Sequence, residues 1–80
     1  MLLLNDLKNP QDTIMYCAAC ILFILKNEDK SKDIDILFDE IKVKFNKNMA
    51  YSDFILALDF LYLLEKITLD SKEKICLLEN

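Results

Sequence analysis

Apolar positions follow the 3.6-residue period of an α-helix through most of this chain, then give way to short β-capable segments near the C-terminus. The pattern predicts a first helix over about 12–27, starting after Asn9-Pro10 with Asp12 or Thr13 as its N-cap. Its stretch 14–25 is apolar on every side, which marks a central, buried helix. Residues 27–32 are polar and read as a loop. A second helix is expected over about 33–45. Here Ile34, Leu37, Phe38, Ile41 and Phe45 share one face, while Asp35, Asp39, Glu40 and Lys42 point toward water.

Residues 46–50 form the next loop, and a third helix is expected over about 52–65, with Ser52 or Tyr51 near its start. Beyond it, two short segments flank the polar run 70–73. They read as a hairpin over about 66–78, although no Asn-Gly or Asp-Gly pair specifies the turn. The predicted class is therefore α+β, mainly α, with the helix–helix–helix–hairpin order of a winged helix-turn-helix. Residues 1–80 form one domain, in which Leu2, Leu3 and Leu4 add a strand or cover the core.

Composition sharpens this picture. The chain is 54% hydrophobic, above the usual level of about 45–50%. A chain of 80 residues buries only about 60–65% of its unfolded surface. The apolar surplus therefore faces outward, toward a partner. The net charge is −4, and every one of the ten cations is lysine. That balance disfavours nucleic acid and anionic membrane as partners, because both are recognised through basic surfaces. The stretch 14–25 would span roughly 18 Å as a helix, short of a hydrocarbon layer of about 30 Å. The N-terminus lacks the basic region and cleavage site of a secretory signal. Three cysteines then read as reduced thiols in a cytoplasm.

The third helix decides between function classes. In a DNA-reading winged helix this element carries polar and basic groups into the major groove. Here it holds no Lys or Arg, and Asp53 and Asp59 would face phosphates. At about 100° per residue, Phe54, Leu58 and Leu61 cluster on one half, flanked by Ile55, Ala57 and Tyr62. Leu56, Phe60 and Leu63 fall on the other half, among Ser52, Asp53 and Asp59. Large apolar groups on a nominally polar face suggest a protein-binding surface, unless the N-terminal segment or the hairpin covers them. The candidate interaction residues are Leu56, Phe60, Leu63, Asp59 and Asp53.

No catalytic, cofactor or metal site is expected. Cys17-Ala18-Ala19-Cys20 has C-x-x-C spacing, but a structural zinc site needs four ligands and the chain adds only Cys76 and no His. Within an apolar helix such cysteines act as small hydrophobes. There is no Gly-rich phosphate loop, and no nucleophile stands beside an evident base. The acidic pairs Asp33/Asp35 and Asp39/Glu40 read as a solvated face, with contact to a basic partner as the other option. Lys42, Lys44 and Lys47 suit a helix C-terminus or, alternatively, a phosphate contact.

The segment 54–67, FILALDFLYLLEKI, resembles the small middle components of bacterial ABC-three-component systems. In those proteins a pattern like LALDFLYLLGKI closes the third helix and leads into the hairpin. Asn9-Pro10 followed by the apolar stretch 14–25 is also similar, so the likeness covers nearly the whole chain. Glu65 departs from the pattern at a position where Gly is common.

The resemblance implies a three-gene operon in which an SMC-like ABC ATPase and an effector flank a small adaptor, in an anti-phage or anti-plasmid defence module related to Lamassu. The implied role is to join the two partners or restrain the effector. A small winged-helix DNA-binding transcriptional regulator stands as the alternative function, and a simple homodimer as a third.

Overall fold

The structure is a computed structural model that describes residues 14–28 and 30–78. The expected N-cap at Asp12 or Thr13 and the role of Leu2, Leu3 and Leu4 lie outside the described residues. Among the described residues three helices and three strands follow in the order α1 (Ile14–Asn27), β1 (Ser31–Lys32), α2 (Ile34–Lys44), α3 (Tyr51–Leu63), β2 (Ile67–Leu69) and β3 (Ile75–Leu77). The fold is thus α+β and mainly helical, with a small antiparallel sheet ordered β1-β3-β2.

The core sits where α1 crosses α3. Cys17, Ile21, Ile24 and Leu25 of α1 meet Phe54, Ala57, Leu58 and Leu61 of α3. Leu37 and Ile41 of α2 and one isoleucine from each hairpin strand, Ile67 and Ile75, close the rest. The predicted face of α2 packs as expected: Leu37 and Ile41 are fully buried, and Ile34, Phe38 and Phe45 lean against them. Phe38, Tyr51 and Phe54 form an aromatic cluster with centroids 4.9–5.9 Å apart, within the range of favourable ring contacts.

Two expectations are corrected. Residues 27–32 are not all loop, since Ser31 and Lys32 pair with Cys76 and Ile75 as the third strand. A two-residue polar strand has no side-chain signature and exists only because the backbone of β3 offers it partners; Leu77 N–H also donates to Lys30 O at 2.9 Å. Nor is α1 buried all round. Met15 and Phe23 are exposed at 64% and 54%. A helix apolar on every side carries no marker for its outer face, so packing alone chose it.

The end of α3 explains how Glu65 replaces glycine. Glu65 takes φ 61°, in the left-handed region. Its N–H donates to Tyr62 O at 3.0 Å and Lys66 N–H donates to Leu61 O at 2.9 Å. These are the two reversed bonds of a Schellman stop, which satisfy carbonyls that the helix leaves open. The stop is as sharp as a glycine would give, at the cost of left-handed strain.

The hairpin turn repeats the device. Glu73 has φ 63°, its N–H donates to Asp70 O at 2.9 Å, and Asp70 N–H donates to Lys74 O at 3.0 Å. Asp70 Oδ1 accepts the N–H groups of Lys72 and Lys74 at 2.8 and 2.9 Å, so an Asp side chain organises a turn that lacks the usual dipeptide signal. These backbone donors, that of Lys74 foremost, hold the Asp70 carboxyl below its ordinary pKa. Ser31 Oγ donates to Asp70 Oδ2 at 3.5 Å, which ties β1 to the same turn.

Candidate protein-interaction surface

On α3 the buried residues Phe54, Ala57, Leu58 and Leu61 turn inward, and the opposite side carries Leu56, Asp59 and Leu63 at i, i+3 and i+7. Leu56 is 49% exposed and Leu63 79%. Asp59 between them is exposed as well. The helix therefore presents an apolar stripe with one carboxylate at its centre. Leu64, just past the helix, is exposed as well.

The other two candidates sit differently. Phe60 is half-buried and packs against the core cluster from the flank of α3. Asp53 is half-buried too, and its charge contributes, after burial itself and Cys20, to pushing the Cys17 thiol up to about 12. Of the five residues singled out, the fold brings Leu56, Asp59 and Leu63 onto one outward face and turns Phe60 and Asp53 toward the body.

Tyr62 is the main miss. Sequence periodicity grouped it with the core half, yet it is exposed at 58%. It stands on the opposite flank from Phe60, beside Ile55, where α3 faces the hairpin. An open cleft of about 300 Å³ lies there, with Leu58, Ile67 and Ile75 beneath and Asp59, Tyr62 and Leu69 around it. A helical projection places Tyr62 at the edge of the core arc, on the side that borders this cleft.

An 80-residue chain whose third helix exposes leucines in place of cations has the character of a component that works in contact with others. The comparison with protein families agrees. The chain belongs to the ABC-three component (ABC-3C) system Middle Component 6 family. The match runs over residues 3–78. No curated protein and no solved structure matches the chain.

Cys17 and Cys20 are buried in α1, where burial raises both thiol pKa values and disfavours the thiolate. Among the described residues no group of three or more His, Cys, Asp or Glu side chains could hold a metal ion. Among the same residues no helix is long and apolar enough to cross a membrane.

The acidic and basic groups of α2 are also reassigned. Glu40, expected to face water, joins an ion-pair network instead: Lys32 Nζ lies 2.7 Å from its Oε1 and Lys44 Nζ 3.5 Å from its Oε2. Lys44 also bonds Glu28 at the end of α1, and Lys32 approaches Glu28 at 3.7 Å. The Lys44 bond lowers the Glu28 carboxyl, and the same contact raises Lys44. Lys42 rests over the Phe38 ring, 5.3 Å from its centroid. The cluster Lys42, Lys44 and Lys47 thus does not form a joint basic face: two of its members are engaged by their own fold.

Proposed function

We propose that this chain is a non-catalytic protein–protein adaptor that links an SMC-like ABC ATPase to an effector within a bacterial defence complex. The observation that carries the reading is the stripe Leu56–Asp59–Leu63 on the outer side of α3. In a fold of winged-helix type, which the order α-β-α-α-β-β favours, this is the helix that would read DNA, and it contains no cation. Exposed leucines at two-turn spacing suit a protein groove better than water or phosphate. The whole chain acts as one module, and Leu56, Leu63 and Asp59 make the principal contact, supported by Phe60 and Asp53 from behind.

Membership in a middle-component family supports the existence of partner components. The DNA-binding alternative has less support, since Lys44 is held by Glu28 and Glu40, and Lys42 by Phe38.

Co-expression with the ATPase and effector components of the same operon, followed by affinity purification, tests the reading. Wild-type chain is expected to co-elute with at least one of them. The double variant Leu56→Asp, Leu63→Asp is expected to lose that partner while keeping its circular dichroism spectrum. Co-elution of the double variant at wild-type yield, or a wild-type chain that ignores both components, would overturn it.

A further inference from the structure

The cleft between α3 and the hairpin is a second feature, set beside the outer stripe. Its floor is apolar: Leu58, Ile67 and Ile75 belong to the core itself. Its rim carries Tyr62 and Leu69, exposed at 58% and 55%, and the exposed carboxylate of Asp59. A space of about 300 Å³ is at the small end of ligand cavities. It fits one or two apolar side chains. Tyrosine at such a rim supplies contact area with little loss of side-chain freedom, as in many binding hot spots.

We propose that this cleft receives an apolar side chain from a segment of a partner protein that carries a Lys or Arg close to that anchor, the cation pairing with Asp59. The inference rests on the adaptor reading and names the chemistry of the partner segment. Charge selects the occupant. The α3 segment Tyr51–Leu63 has acidic residues and no basic one, and the chain as a whole carries −4. A second copy docked two-fold across α3 would set Asp59 against Asp59, a like-charge contact that costs affinity. A basic–apolar segment of another protein meets both demands of the cleft: it fills the apolar floor and neutralises the rim.

The test uses the full chain co-purified with the ATPase and effector components. With p-benzoylphenylalanine replacing Tyr62 or Leu69, ultraviolet cross-linking and mass spectrometry should place the cross-link on a partner segment in which an apolar residue neighbours Lys or Arg. At low salt, Asp59→Lys should raise Kd roughly tenfold or more, and Asp59→Asn should raise it a few-fold while flattening its salt dependence. Tyr62→Ala should raise Kd by about tenfold.

If the complex forms, is lost in Leu56→Asp, Leu63→Asp, and is indifferent to Tyr62→Ala, with no cross-link from position 62 or 69 to a partner, the cleft inference fails and the adaptor reading stands. Cross-links to a second copy, or to a partner segment without a nearby cation, also overturn it. If neither component binds, both fall together.

Discussion

The helices α2 and α3 are similar in length and differ in what marks their faces. In α2, apolar Ile34, Leu37, Phe38, Ile41 and Phe45 alternate with charged residues, and all five pack on the core. Its polar side is then fastened by Glu40 and Lys44 to Lys32 and Glu28. In α3, apolar residues surround the axis, and little beyond Ser52, Asp53 and Asp59 tells inside from outside. Packing buries four of them and leaves Leu56, Tyr62 and Leu63 exposed. The helix with a clear polar face packs its inner side completely and fastens part of its outer side by ion pairs, whereas the uniformly apolar helix packs one side and leaves leucines exposed on the other. Even α2 is not fully closed, since Ile36 and Val43 are exposed at 51% and 82%.

The comparison breaks most visibly under truncation. Phe54→Ala should cost about 3–5 kcal/mol and Ile41→Ala about 2–5 kcal/mol, by lost burial and the cavity left behind. For a domain this small, either loss approaches the whole folding free energy. Leu63→Ala should change stability by no more than about 0.5 kcal/mol. Urea denaturation followed by circular dichroism measures all three. A large loss at Leu63 would mean that the outer side of α3 is part of the core, and the contrast with α2 would vanish.

A smaller effect tests the end of α3. Glu65→Gly removes a Cβ from a residue held at φ 61° and should raise stability by about 1 kcal/mol, because left-handed backbone costs a non-glycine residue roughly that much. The same denaturation measurement decides it. A destabilised variant would show that the Glu65 side chain contributes more than its backbone strain costs.

The smallest effect concerns the charges that fasten α2. The Glu28 carboxyl is lowered chiefly by its bond to Lys44. A depressed carboxyl pKa contributes stability above its unfolded value, here 4.5, and loses it as pH falls through the folded value. Acid should therefore loosen the α1–α2 junction before it affects the packing of α1 on α3. Asp70, lowered by the Lys74 and Lys72 backbone donors, shifts the hairpin turn in the same direction. Amide hydrogen exchange near pH 4 and below, corrected for intrinsic rates, should show protection falling first in 28–44 and 70–74, with 54–61 retained. Uniform loss of protection would erase the distinction between charge-fastened and packing-fastened elements.

Much of the fold was legible along the chain, and for identifiable reasons. Charged residues spaced around α2 declared its inner face, and the polar runs near 46–50 and 70–73 declared their turns. The C-x-x-C pair was read correctly as packing, because an apolar helix surrounds it. Along α3 the periodicity puts Leu56 and Leu63 outward, where both are exposed, but Phe60 is half-buried and Tyr62 exposed against its expectation, since both lie on flanks where a projection changes from inside to outside within a few tens of degrees.

By itself, then, the sequence determined the succession of three helices and a C-terminal hairpin, the inner face of α2, the acidic character of α3 and the likeness to a middle component, because each is written in local spacing or composition. The tertiary structure decided that Ser31 and Lys32 become a strand, which sides of α1 and α3 are buried, that Lys32 and Lys44 are spent on Glu28 and Glu40, and that a cleft opens beside Tyr62. Each of these depends on partners distant along the chain, and a helix that is apolar all round has no local information with which to anticipate them.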